Sequence, residues 1–107
     1  MRQVAVYQND TFAGTLTELV RGGRCRFQYD DAYLASPLPN ISVTLPKRKE
    51  PYESECLFPF FIAMLPEGFN RRYVCRHAHI DEKDFFGLMM AMAGADFIGA
   101  VNIRKIE

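Results

Sequence analysis

Arg24-Cys25-Arg26-Phe27-Gln28-Tyr29 is the stretch on which the fold turns. Cys25, Phe27 and Tyr29 fall on one face and Arg24, Arg26 and Gln28 on the other, the period-two signature of a strand with one buried side. Working back toward the N-terminus, Gly22-Gly23 marks a turn, and Thr11 to Leu19 reads as a second strand with Phe12 and Leu16 inward. Asn9-Asp10 is another turn signal. Before it, residues 3–8 carry Val4 and Val6 on one face and Tyr7 on the other. Gly14, inside a strand, predicts a bulge or a close backbone approach. The connections are too short for parallel crossovers, so the three strands are expected to form an antiparallel meander.

Working forward, Asp30 to Ser36 is long enough for one helical turn before Pro37 and Pro39 break regularity. Ile41 to Leu45 reads as a short strand and residues 46–55 as a polar, Pro-bounded surface loop. Helices follow. Phe58, Phe61, Ile62 and Leu65 recur at helical spacing, from near Cys56 to Pro66. Gly68 marks a bend, and Phe69 to about His77 forms a second helix with Tyr73, Val74 and His77 toward the core. A third starts with Asp81 as N-cap, Asp84 at N3 and Ile80 stapled on Phe85. Its buried stripe is Phe85, Leu88, Met89 and Met92, and Gly94 ends it. Residues 97–106 return as a strand with Val101 and Ile103 inward, beside the first. The expected fold is α+β: a small antiparallel sheet or partial barrel with about three short helices packed on one side.

With 107 residues the chain is expected to be a single domain, 1–107. Nine Phe and five Tyr can fill one core without disulfides. Thirteen basic residues balance thirteen acidic ones, which argues against wholesale nucleic-acid binding, and no direct nucleic-acid contact is expected. The uncharged run Cys56 to Pro66 is too short and Pro-interrupted to span a bilayer. With no apolar leader and an odd number of thiols (Cys25, Cys56, Cys75), the expected compartment is the reducing cytoplasm.

No Gly-rich phosphate loop, HExxH or CxxC pair is present, and no cofactor, metal or catalytic residue is expected. Cys75-x-His77-x-His79 resembles a ligand cluster, but His77 leaves the face shared by Cys75 and His79, and no matching pair exists elsewhere. Asp30-Asp31 and Glu53/Glu55 read as solvated turns. Two basic clusters, Lys47-Arg48-Lys49 and Arg71/Arg72/Arg76, could meet an acidic partner or phosphate, or simply face solvent. In Leu65-Pro66-Glu67-Gly68-Phe69-Asn70, Pro66 and Gly68 bracket Glu67 at a bend and Phe69 follows at once. An aromatic there is either a core plug or a rigid anchor for a partner's pocket, and the spacing leaves both open.

These motifs, in order, resemble the N-terminal subdomain of HipA-type serine/threonine kinase toxins. Val4-Ala5-Val6-Tyr7 and Gly14-Thr15-Leu16-Thr17 are similar to the family's opening hairpin. Phe27-Gln28-Tyr29-Asp30 leads to Tyr33-Leu34. Pro37-Leu38 then precedes Ile41-Ser42-Val43-Thr44-Leu45-Pro46, like the family's "PLSLSLP". Phe58-Pro59-Phe60-Phe61 running into Leu65-Pro66-Glu67-Gly68 resembles "FFxxLLPEG". Asp84 to Met89 and Gly99-Ala100-Val101 resemble the closing part, although Ala95 stands where relatives commonly carry Arg. The kinase's nucleotide loop, catalytic Asp and metal-binding Asp would all lie beyond this sequence, so the resemblance implies no enzyme. It implies a small antitoxin-like protein similar to HipS of the bacterial tripartite HipBST systems, which docks on a HipT-like kinase toxin and inhibits it. The alternative is a non-inhibitory accessory subdomain that assembles with the kinase and a HipB-like helix-turn-helix protein. The expected docking surface is Pro66, Glu67, Gly68, Phe69, Arg71 and Arg72.

Overall fold

The alternation of Cys25–Tyr29 becomes β3, with Cys25, Phe27 and Tyr29 buried and Gln28 exposed. The computed structural model describes residues 2–65, 68–93 and 101–106, with positions 68 and 69 described by their backbone alone. β1 (Arg2–Gln8), β2 (Thr11–Glu18) and β3 form the expected antiparallel meander. Asn9 in the first turn and Gly22 in the second take positive φ, 53° and 75°. A short polar side chain or none at all tolerates that region.

Gly14 combines both of its expected roles. The β1–β2 register slips between Val6, opposite Gly14, and Tyr7, opposite Phe12, which leaves Ala13 as a bulge. A Cβ on Gly14 would stand 2.3 Å from the Gln28 carbonyl oxygen, so only glycine fits. The bulge also corrects the place of Phe12. The extra residue buries Ala13 and turns Phe12 to the outer face, 37% exposed and edge-on to Tyr7. The Ala13 carbonyl accepts the Asp30 N–H at 2.8 Å, and Asp30 caps α1 (Asp31–Ala35).

Residues 41–45 are not a strand. Only Ser42 and Leu45 bridge, around an exposed turn, while Ile41 and Leu45 bury into the core. The cause is Tyr29, whose buried hydroxyl accepts from the Ile41 N–H (3.1 Å) and donates to the Leu45 carbonyl, closing the segment on itself. The Tyr33 and Tyr52 hydroxyls each donate at 2.6 Å, to the Pro39 and Pro46 carbonyls. Within the expected polar loop, Tyr52–Ser54 pairs with β3 as an edge strand, β4. Edge strands tolerate the charged and proline residues that disguised it.

β5 (Val101–Lys105) pairs antiparallel with β1, giving one open sheet in the order β4-β3-β2-β1-β5; positions 97–100 and Gly94 lie outside the described residues. The sheet stays open rather than closing into a barrel, because β4 and β5 occupy opposite edges. α2 (Pro59–Ile62) starts with proline at its first position and lays Phe61 on Phe27, ring centroids 5.9 Å apart. α4 (Phe85–Ala91) packs against β5 and buries Phe86, Leu88 and Met89; Phe85 and Met92 are half-buried. α3 (Gly68–Ala78) packs on α4. Among the described residues, four short helices therefore accompany a five-stranded antiparallel sheet, an α+β fold.

Candidate docking surface

α4 is held at its first turn by charge. Asp84, not Asp81, is its N-cap: the Asp84 carboxylate accepts the Gly87 N–H at 3.0 Å. Asp81 instead accepts the Lys83 N–H, closing a turn before the helix. Arg2 of β1 donates to both carboxylate oxygens of Asp84 (2.8 and 3.1 Å) and both of Glu18 (2.7 and 2.9 Å). Glu18 is 4% exposed, on the same face as Leu16, so it needs this partner. The Arg2 bonds hold the Asp84 carboxyl below its ordinary range. This cluster joins residues 82 positions apart, and no local pattern announces it. A Cβ on Gly87 would lie 2.3 Å from an Asp84 oxygen, so the cap depends on glycine there.

α3 is held differently. Among its described side chains only Cys75 is fully buried, and that burial pushes its thiol pKa up. Val74 is half-buried, but Tyr73 and His77, expected in the core, face outward with ring centroids 4.3 Å apart. Tyr73, Val74 and Cys75 are consecutive apolar positions, and such a run does not fix which side of a helix turns inward. At the far end His79 takes φ 57° and the Ile80 N–H reaches the Cys75 carbonyl at 2.9 Å, a Schellman closure. Ile80 thus ends α3 instead of stapling α4.

The residues expected to dock divide. Pro66 and Glu67 lie outside the described residues. Gly68 is the first residue of α3 rather than a separate bend, and the side chain of Phe69 lies outside the described set. Arg71 is half-buried, its guanidinium 5.1 Å from the Phe85 ring centroid, which links α3 to α4. Arg72 is exposed, as are Arg76 and His77. α3 thus presents a cationic face containing an aromatic, Tyr73, and its sequence holds no acidic residue. Spacing signalled Arg72 and Arg76; the contribution of Tyr73 was hidden by its reading as core.

In the other basic cluster Lys47 and Arg48 are spent on the fold, while Lys49 is exposed. Lys47 Nζ donates to the Ser36 and Leu38 carbonyls at 2.7 and 2.9 Å. Arg48 stacks 3.6 Å over the Tyr52 ring and donates to the Glu50 and Pro51 carbonyls. No group of His, Cys, Asp and Glu among the described residues could hold a metal ion, and none of the described helices is long and apolar enough to cross a membrane.

The architecture defines a class: a small open-sheet α+β domain with a cationic helix outermost and no metal-ligating cluster among the described residues. The chain belongs to the HipA N-terminal domain family, whose family model matches residues 4–104. The matching domain is the N-terminal subdomain, not a kinase domain. An uncharacterized protein of Haemophilus influenzae is 33% identical over 105 residues, spanning 98% of this chain and 93% of that protein. The candidate kinases Y4mE and Y4dM of Sinorhizobium fredii are 30% and 32% identical over 96% and 87% of this chain. This chain spans only 24% of either candidate kinase. A solved N-terminal domain of HipA toxin superimposes with a TM-score of 0.73 at 28% identity, covering 100% of this chain and 94% of that one. The family and these relatives associate the chain with HipA-type kinases.

Proposed function

We propose that this protein is an antitoxin-like binding module, similar to HipS, that docks on a HipA-type serine/threonine kinase and blocks its phosphoryl transfer. The observation that carries the proposal is the outer face of α3. Arg72, Tyr73 and Arg76 are exposed on a helix that rests on α4. Helical spacing puts position 69 on the same face as 72, 73 and 76. A kinase active site holds its metal ions with acidic side chains, so a cationic surface with an exposed aromatic, Tyr73, complements that part of it. Glu67 and Arg71 would supply the charged rim, with Pro66 and Gly68 fixing the approach of the chain.

The test uses a HipA-type kinase from the same genome. Phe69→Ala should weaken kinase binding by at least about 2 kcal/mol, roughly thirtyfold, and restore kinase activity. Arg72→Ala combined with Arg76→Ala should weaken binding most at low salt while changing stability by no more than about 0.5 kcal/mol. Binding without inhibition would favour the accessory reading, in which the domain assembles with the kinase and a HipB-like protein. Full inhibition by all these variants would move the docking surface elsewhere, and collapse of Phe69→Ala would make that residue core.

A further inference from the structure

A second feature lies at the opposite end of β3 from the tyrosine-pinned loop. Cys25 begins β3, and its ladder partner is Ser54 of β4. Cys56 comes two residues after Ser54, in the bend that leads from β4 toward α2. Cys56 therefore lies just past the end of the ladder, on the chain opposite Cys25. Cys25 and Cys56 line one small cavity of about 50 Å³, together with Glu18, Leu57, Phe85 and Phe86. Cys25 is buried, donating weakly to the Gly23 carbonyl at 3.5 Å, and Cys56 is exposed. The third thiol, Cys75, is buried in α3 and does not line this cavity.

We propose that Cys25 and Cys56 form a reversible disulfide on exposure to a peroxide, fastening β3 to the β4–α2 connection. Exposure makes Cys56 the attacking thiol. Its thiolate displaces hydroxide from hydrogen peroxide and becomes a sulfenic acid. The Cys25 sulfur then attacks the sulfenic sulfur, the S–S bond forms, and the released hydroxide takes the Cys25 proton as water. Two thiols are oxidised to one disulfide and one peroxide is reduced to two waters. The roles are not interchangeable: burial, with Glu18 and Cys56 nearby, pushes the Cys25 pKa up to about 11, so Cys25 acts as the resolving thiol. A disulfide needs Cα atoms within about 7 Å, and the bend at 55–57 is free of the ladder and can close the remaining gap.

The full chain, treated with hydrogen peroxide and then alkylated in denaturant so that buried thiols react, should lose two hydrogens and retain a single alkylated thiol, Cys75. Peptide mapping should join the Cys25 and Cys56 peptides, and dithiothreitol should separate them. The cross-linked protein should melt roughly 5 °C higher, because the unfolded chain is then constrained. Cys56→Ser should abolish the cross-link; it alters an exposed residue and keeps the test valid if Cys25→Ser fails to fold. Three alkylated thiols after peroxide would overturn the proposal. So would dimers joined through Cys56, or sulfinic acid on Cys56 with Cys25 still alkylated.

Discussion

α3 and α4 are neighbouring helices held by opposite means. α4 has seven residues, three of them buried, and its N-cap is bonded to an arginine on β1. α3 has eleven residues, yet among its described side chains Cys75 alone is fully buried. Length and regularity therefore say little about how firmly an element is bound to the fold. The segment 36–47 makes the point from the other side. It has almost no regular structure, but the Tyr29, Tyr33 and Lys47 side chains fix its carbonyls and amides one by one. In α4 and at Tyr29, Tyr33 and Lys47 the side chains are consumed by the fold. On α3 they are not consumed, and Arg72, Tyr73, Arg76 and His77 stay exposed.

The sharpest way to break this contrast is to release α4. Arg2→Ala leaves Glu18 buried without its partner and should cost about 3 kcal/mol, a large share of the roughly 5–15 kcal/mol that holds a domain of this size. Urea unfolding would measure it. The same variant carries a pH signature. A carboxyl whose folded pKa lies below its unfolded value, 3.8 for Asp84, adds stability above that value and loses it as pH falls through the folded pKa. The natural protein should therefore weaken as pH drops below about 4, and Arg2→Ala should show a shallower acid slope. An unchanged midpoint together with an unchanged acid slope would mean that the cluster does not anchor α4.

A smaller effect tests the irregular segment. Tyr29→Phe removes the oxygen that serves both the Ile41 N–H and the Leu45 carbonyl, at a cost of about 1–3 kcal/mol. Amide exchange at Ile41 should quicken while the β1–β2 amides stay protected. If exchange at Ile41 stays as slow as before, the loop is held by something other than that hydroxyl.

The smallest effect belongs to α3. His79 ends the helix at φ 57°, which disfavours any side chain with a Cβ. His79→Gly should add about 0.5–1 kcal/mol, a rise of a few degrees in Tm, while leaving the exposed face intact. A lower Tm would show that the imidazole contributes more than its strained backbone costs.

The sheet was legible residue by residue because a strand reports burial with period two. Val4, Val6, Leu16, Cys25, Phe27, Tyr29, Val101 and Ile103 are all inward as the alternation required. The errors cluster where that signal is interrupted or weak. The bulge at Ala13 reversed Phe12, and the pairing of Tyr52–Ser54 depends on the free edge of β3 rather than on its own composition. For the proposed docking surface, spacing signalled Arg72 and Arg76 but assigned Tyr73 and His77 to the core, whereas both are exposed.

By itself the sequence determined the α+β class, the meander, the turns at Asn9 and Gly22, and the resemblance to the HipA N-terminal domain. Each of these rests on local periodicity, turn chemistry or the order of motifs along the chain. Only the tertiary structure decided which charges are structural and which are presented. Arg2 meets Glu18 and Asp84, and Lys47 turns inward onto the Ser36 and Leu38 carbonyls, whereas Arg72 and Arg76 remain exposed. The physical reason is that a charge is stabilised or left exposed by what packs beside it in space, and such a neighbour can stand far away along the chain, 82 residues for Arg2 and Asp84.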